Sequence, residues 1–129
     1  MPVPAFYPNL LYADADAAIE WLERSLGFER GEVHRDEDGK VAHAELSLGG
    51  TVVMLGSAGI GREPFRSLPA GGGLVYVAID DVDALHERAG EAGADIAVDL
   101  MDTDYGSRDF TVRDPEGTLW AFGTYRPGR

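Results

Sequence analysis

A histidine and a carboxylate two residues apart on a strand point to the same side, and His43 and Glu45 have that spacing. An imidazole beside a carboxylate can hold or move a proton near neutral pH. The pair is therefore a candidate for acid–base work, and equally half of a metal site or an ordinary hydrogen-bonded pair on a polar rim. Arg108, after Tyr105-Gly106-Ser107, offers a guanidinium able to clamp a carboxylate or phosphate through two N–H groups. Its competing reading is an ion pair with Asp109, Asp114 or another acid. His34, beside the charged turn Arg35 to Lys40, is expected in solvent, and His86 is assigned no role. The 129 residues include no cysteine, which excludes a thiolate nucleophile, disulfides and Cys-based zinc or iron–sulfur centres. No serine stands in a Gly-x-Ser-x-Gly context, and Tyr105-Gly106 lacks the glycine-rich strand-to-helix turn of phosphate binding.

The elements that must position these side chains follow from periodicity. Phe6 to Tyr12 reads as a strand, and Asp14 and Asp16 offer caps to an amphipathic helix through Ile19, Trp21, Leu22 and Leu26. Gly27 stands where a helix ends in a left-handed residue. Period-two strands follow over Glu29 to Arg35, Val41 to Leu48 and, after a Gly49-Gly50 turn, Thr51 to Leu55. The second half repeats this order: a strand at Leu74 to Ile79, a helix from Asp81 or Asp83 to Gly93, then strands at Ile96 to Val98, Arg108 to Val112 and Thr118 to Thr124. Asp114-Pro115-Glu116-Gly117 is the turn before the last strand. At a shift of 67 residues Asp14 falls on Asp81, Asp16-Ala17 on Asp83-Ala84 and Gly50-Thr51 on Gly117-Thr118, which argues for a duplicated βαβββ unit. The expected organisation is one domain over 1–129, with module one at about 5–56, a glycine- and proline-bearing linker at about 57–72 and module two at about 73–126.

Composition bounds the partners. Hydrophobic residues make up 44% and charged residues 26%, so a packed core is expected. Twenty-three acids against eleven bases give a formal charge of −12, which disfavours nucleic acid and anionic membranes. No apolar run reaches the roughly 20 residues of a membrane span, and Met1 to Pro4 lacks the pattern of a signal peptide, so a cytoplasmic location is expected.

Pro8 to Tyr12, Ala17 to Leu22 and Leu26-Gly27-Phe28 together resemble the opening of glyoxalase-fold proteins, the vicinal oxygen chelate superfamily of bleomycin-resistance proteins and extradiol dioxygenases. His43-Ala44-Glu45-Leu46, Tyr105 to Arg108 and Asp114 to Tyr125 resemble its PhnB-like subgroup more closely. The resemblance implies an α+β fold in which two tandem βαβββ modules form a curved mixed sheet around a cavity. It also implies four metal-ligand places in the metal-dependent members, which fall here on Tyr7, Met54, Leu74 and Ala121. A phenol, a thioether and two alkyl groups do not replace imidazole and carboxylate donors, so no metal and no other cofactor is expected.

Strand parity from position 121 assigns Tyr7, Asn9, Met54, Leu74, Tyr76, Ala121 and Tyr125 to the cavity and Trp120 and Phe122 to the helix side. His43, Glu45, Arg108 and Phe110, the last taken as the counterpart of His43 at the 67-residue shift, complete the expected ligand-binding set. The expected function is metal-free binding of a small drug-like or aromatic molecule, as in bleomycin resistance. The alternatives are a glyoxalase-type enzyme acting on a small carbonyl or anionic substrate, with His43 and Glu45 as acid–base groups, and a module that only dimerises. Open sheet edges and a concave apolar face point to a homodimer.

Overall fold

The computed structural model describes residues 5–127, so the expectation placed on Met1 to Pro4 lies outside the described residues. The chain runs β1 (Asn9–Tyr12), α1 (Ala15–Leu26), β2 (Glu29–Arg35), β3 (Val41–Leu48), β4 (Thr51–Ser57), β5 (Leu74–Ala78), α2 (Val82–Glu91), β6 (Asp95–Asp102), β7 (Arg108–Arg113) and β8 (Leu119–Gly123). A 3₁₀ turn covers Phe65–Ser67. The fold is α+β: two four-stranded mixed sheets with one helix in each βαβββ repeat. Their strand orders are β1-β4-β3-β2 and β5-β8-β7-β6. In each sheet the first and last strands of the repeat pair parallel and the other neighbours antiparallel. The chain forms two compact units, one of residues up to Glu23 together with Gly27–Gly71, the other of Arg24–Leu26 together with the residues from Gly72 on.

The repeated aspartates are repeated for a local reason. Asp14 and Asp81 cap their helices, each side chain accepting the amide N–H three residues on, at 3.0 Å from Ala17 and Ala84. Gly27 closes α1 in the left-handed region at φ 78°, as its position predicts. Helix α1 is tied to β2 by Arg35 on Asp16 and Arg30 on Glu23, each at 2.8 Å. Helix α2 is tied to β6 by His86 on Asp99 at 2.8 Å and to β7 by Arg108 on Asp83 at 2.9 Å. The Leu100 amide and then His86 hold the Asp99 carboxyl below the usual carboxylate range.

Alternation sorts each sheet into a buried and an open face. Ala44, Leu46, Val53 and Leu55 are buried in the first sheet, and Phe110, Val112, Trp120 and Phe122 in the second. Trp120 and Phe122 thus lie on the side their parity predicts. Strand β6 runs well beyond Ile96–Val98, to Asp102. Two register irregularities and its edge position let it absorb Asp99 and Asp102, whose polarity breaks the apolar signal. Strand β1 starts at Asn9, later than the expected Phe6. Among the described residues no helix is long and apolar enough to cross a membrane.

Candidate functional site

The first sheet's open face is fixed by register. Strands β1 and β4 pair Asn9 with Met54 and Leu11 with Gly56, and β3 pairs Glu45 with Met54, so these side chains share one side. His43 and Glu45 are there as their spacing requires, with His43 Nε2 2.9 Å from Glu45 Oε2. The His34 ring, opposite on β2, stacks on His43 at 6.1 Å and is itself well exposed, as expected. Tyr7 precedes β1 and is 55% exposed.

A groove of about 500 Å³ opens beside this face. Of the expected ligand-binding residues, Asn9 and His43 line it. Most of the rest of its wall comes from residues given no site role by the sequence, among them Leu11, Gly56, Ile60, Arg62, Phe65 and Leu68. Four of these belong to the segment between the modules, which folds onto the first unit and carries the 3₁₀ turn. Gly56 is needed at the floor because a Cβ there would meet the Ala42 carbonyl oxygen at 2.8 Å. That carbonyl sits at an irregularity between β2 and β3, where Arg35 pairs with Val41 and His34 with His43. The groove therefore combines an apolar wall of Leu11, Ile60, Phe65 and Leu68 with an amide, an imidazole and a guanidinium. Arg62 makes no ion pair among the described residues.

The second sheet repeats the register of the first in β5 and β8, where Tyr76 pairs with Ala121 as Asn9 does with Met54. It departs in β7. Ser47 pairs with Val52 in the first hairpin, and Arg113 with Leu119 in the second, so the second turn is one residue longer. Carrying the 67-residue shift across that turn displaces β7 by one residue, and a one-residue slip exchanges faces. The counterparts of His43 and Glu45 are therefore Asp109 and Thr111. Two expectations are corrected by this slip. Phe110 is fully buried against His86 and Phe122 and lines no open face. Arg108 lies on the helix side, with Nε on Asp83 at 2.9 Å and Nη1 on Asp102 at 3.0 Å, so the ion-pair reading holds in place of the ligand clamp. The longer turn is built around Asp114, whose buried carboxylate accepts N–H groups from Glu116, Thr118 and the Trp120 indole. His86, assigned no role, joins α2 to Asp99 and packs edge-on against Phe110.

Leu74, Tyr76, Ala121, Asp109 and Gly123 share the second open face by register. Tyr76 donates its hydroxyl to the Tyr125 carbonyl at 2.7 Å, and the Tyr125 amide donates to Ser107 Oγ at 3.1 Å. Ser107 Oγ donates in turn to Asp109 Oδ1. Burial, with the Asp109 charge adding to it, pushes the Tyr76 phenol above its ordinary value.

At the four places that metal-dependent relatives would use, the register puts Met54 and Ala121 at equivalent points of β4 and β8. A thioether and a methyl group, with a phenol at Tyr7 before β1 and an alkyl group at Leu74, the first residue of β5, do not fit a resident divalent ion. Among the described residues no three His, Asp or Glu side chains converge.

Two tandem βαβββ repeats, each with one open sheet face, define a tandem-module α+β protein with polar groups set into an apolar surface. Residues 6–122 match the model of the Glyoxalase/Bleomycin resistance protein/Dioxygenase superfamily, and the chain belongs to that family. It is similar to TioX from Micromonospora sp. ML1, with 37% identity over 96% of this chain and all of that one and a TM-score of 0.79. It is 34% identical to the uncharacterized protein Mb0911c of Mycobacterium bovis, over 93% of this chain and 82% of that protein. A glyoxalase/bleomycin resistance protein/dioxygenase from Nocardioides, 21% identical over all of this chain and 88% of that one, shares the fold at a TM-score of 0.72.

Proposed function

We propose that this protein binds a small organic molecule, drug-like or aromatic, without a metal ion. The observation that carries the reading is the groove of about 500 Å³, within the size range of small-molecule sites and lined by apolar side chains with a few converging polar groups. Phe65 and Leu68 supply surface for a ring, and Asn9, His43 and Arg62 supply the groups that orient it. Similarity to a family that includes bleomycin-resistance proteins supports the same reading. The finer PhnB-like placement belongs with it, supported by His43 to Leu46 and Asp114 to Tyr125.

The test is calorimetric titration with a panel of aromatic compounds, with and without added divalent metal. Saturable heat that is unchanged by metal and weakened by Phe65→Ala supports binding. Metal-dependent turnover overturns it in favour of a second reading, a glyoxalase-type enzyme, which one observation favours: the His43–Glu45 contact is short enough to orient an acid–base imidazole.

The working unit proposed with this function is a homodimer. Support comes from the edge strands that each sheet leaves open and from the exposed apolar side chains Leu74, Val98 and Met101. Light scattering at micromolar protein checks it, and a monomer at all concentrations removes it.

A further inference from the structure

Three of the chain's five tyrosines, Tyr76, Tyr105 and Tyr125, gather around the single carboxylate of Asp109 on the second module's open face. The rings of Tyr105 and Tyr125 meet at 86° with centroids 5.7 Å apart, forming a corner of two phenol walls. The Tyr105 hydroxyl lies 3.5 Å from Asp109 Oδ2, which places the carboxylate beside that corner. All three tyrosines remain substantially exposed, at 62% for Tyr105, 49% for Tyr125 and 36% for Tyr76.

Asp109 has no cationic partner among the described residues. Its neighbour Arg108 points to the opposite face and is held by Asp83 and Asp102. Ser107 occupies Oδ1, and among the described residues Oδ2 has only the distant Tyr105 hydroxyl. The backbone is shaped to keep the carboxylate there. Gly123 does not have a left-handed φ, yet a Cβ at that position would collide with Asp109 Oδ1 and lie 2.7 Å from the Tyr76 hydroxyl. The absent side chain is thus what admits both groups.

A negative charge flanked by aromatic rings suits one ligand chemistry. Ring faces attract a cation within about 6 Å of their centroids, and the methyl groups of an alkylated ammonium bury well against a phenol. An unpaired carboxylate supplies the counter-charge, and a chain of net charge −12 raises the local concentration of cations. A small inorganic cation is a poor match, because one carboxylate and phenol hydroxyls give too few oxygen ligands.

We propose that this corner binds an organic ammonium ion, with its charge against Asp109 and its alkyl groups against Tyr105 and Tyr125. The site is separate in residues from the groove of the first module and does not rest on that reading.

The experiment is titration of the protein, in sodium buffer at fixed ionic strength, with choline and with its neutral isostere 3,3-dimethylbutan-1-ol. Choline is expected to bind saturably in the millimolar range, at least about tenfold more tightly than the alcohol. Asp109→Asn, which keeps the shape and the Ser107 contact, and Tyr105→Leu, an exposed change, are each expected to weaken choline about fivefold or more. His43→Ala, in the other module, is expected to leave choline affinity unchanged. Equal binding of the alcohol, absence of choline saturation, or unchanged affinity in Asp109→Asn overturns the proposal.

Discussion

In the first module a glycine, Gly56, lies at the floor of an open groove; in the second, its counterpart Gly123 lies beneath a carboxylate and a phenol. The two positions share one place in the repeat and neither has a left-handed backbone, so each is glycine because of what sits over it. Over Gly56 it is the Ala42 carbonyl, a piece of backbone; over Gly123 it is the ends of the Asp109 and Tyr76 side chains. The duplicated frame thus keeps its register while the material above it changes, and the chemistry of each face is set by that material. In the first module it is backbone of β3, beside a groove walled by the segment after β4; in the second it is side chains of β5 and β7, with Tyr105 from the loop before β7 and Tyr125 from beyond β8 next to them.

The largest expected effect lies in the turn between β7 and β8. Asp114→Ala strands the buried N–H groups of Thr118 and Trp120, so unfolding in denaturant should show a loss of about 3 kcal/mol. A loss under about 1 kcal/mol would mean that the longer second turn, and the face exchange it produces, does not depend on this carboxylate. The next largest effect separates the two glycines. Gly56→Ala presses on backbone and should cost about 2 kcal/mol, whereas Gly123→Ala presses on movable side chains and should cost under about 1 kcal/mol while abolishing the Tyr76–Tyr125 hydrogen bond. Thermal melts of both variants give the order directly, and equal losses would erase the distinction drawn between the faces.

Those contrasts also show how much was legible in the sequence. A cap at Asp14 or Asp16 and another at Asp81 or Asp83, Gly27 and the turn at Asp114 were, because each acts within a few residues of itself; the structure selects Asp14 and Asp81. The helix-side places of Trp120 and Phe122 were, because strand parity is rigid within one strand. The faces of Arg108 and Phe110 were not, because one extra turn residue is invisible to a shift measured on β8 and decisive for β7. Arg62, Phe65 and Leu68 were not, because a segment without period shows nothing of which surface it folds onto. Asp109 was nameable only as an acid beside Arg108; its counterpart relation to His43 needed the register.

His43→Ala should weaken ligand binding in the groove by about 1 kcal/mol, as for loss of one partly exposed hydrogen bond, and leave the melting midpoint essentially unchanged. Calorimetry showing unchanged affinity would place the ligand away from the imidazole. The smallest concerns the helix anchors, which differ between modules: Asp16 on α1 takes Arg35 from β2, and its counterpart Asp83 on α2 takes Arg108 from β7. The Arg35 hydrogen bond holds the Asp16 carboxyl below the usual carboxylate range. A lowered pKa in the folded state contributes stability above the ordinary aspartate value, which is lost as pH falls through the folded value. Asp16→Asn should therefore slightly flatten the acid-side decline of stability and change little near neutrality, because the pair is solvent-exposed. Melts from pH 2 to 7 check this, and an unaltered acid limb would show that the pair contributes nothing.

The central claim, that the first module's groove is a small-molecule site, is tested most directly by amide chemical-shift mapping during titration with whichever aromatic compound the calorimetric panel identifies. Saturable shifts are expected to concentrate at Asn9, Leu11, His43, Gly56, Phe65 and Leu68 and to be unaltered when a divalent metal is added. Shifts confined to other surfaces, or shifts at the groove that appear only with metal, would contradict it.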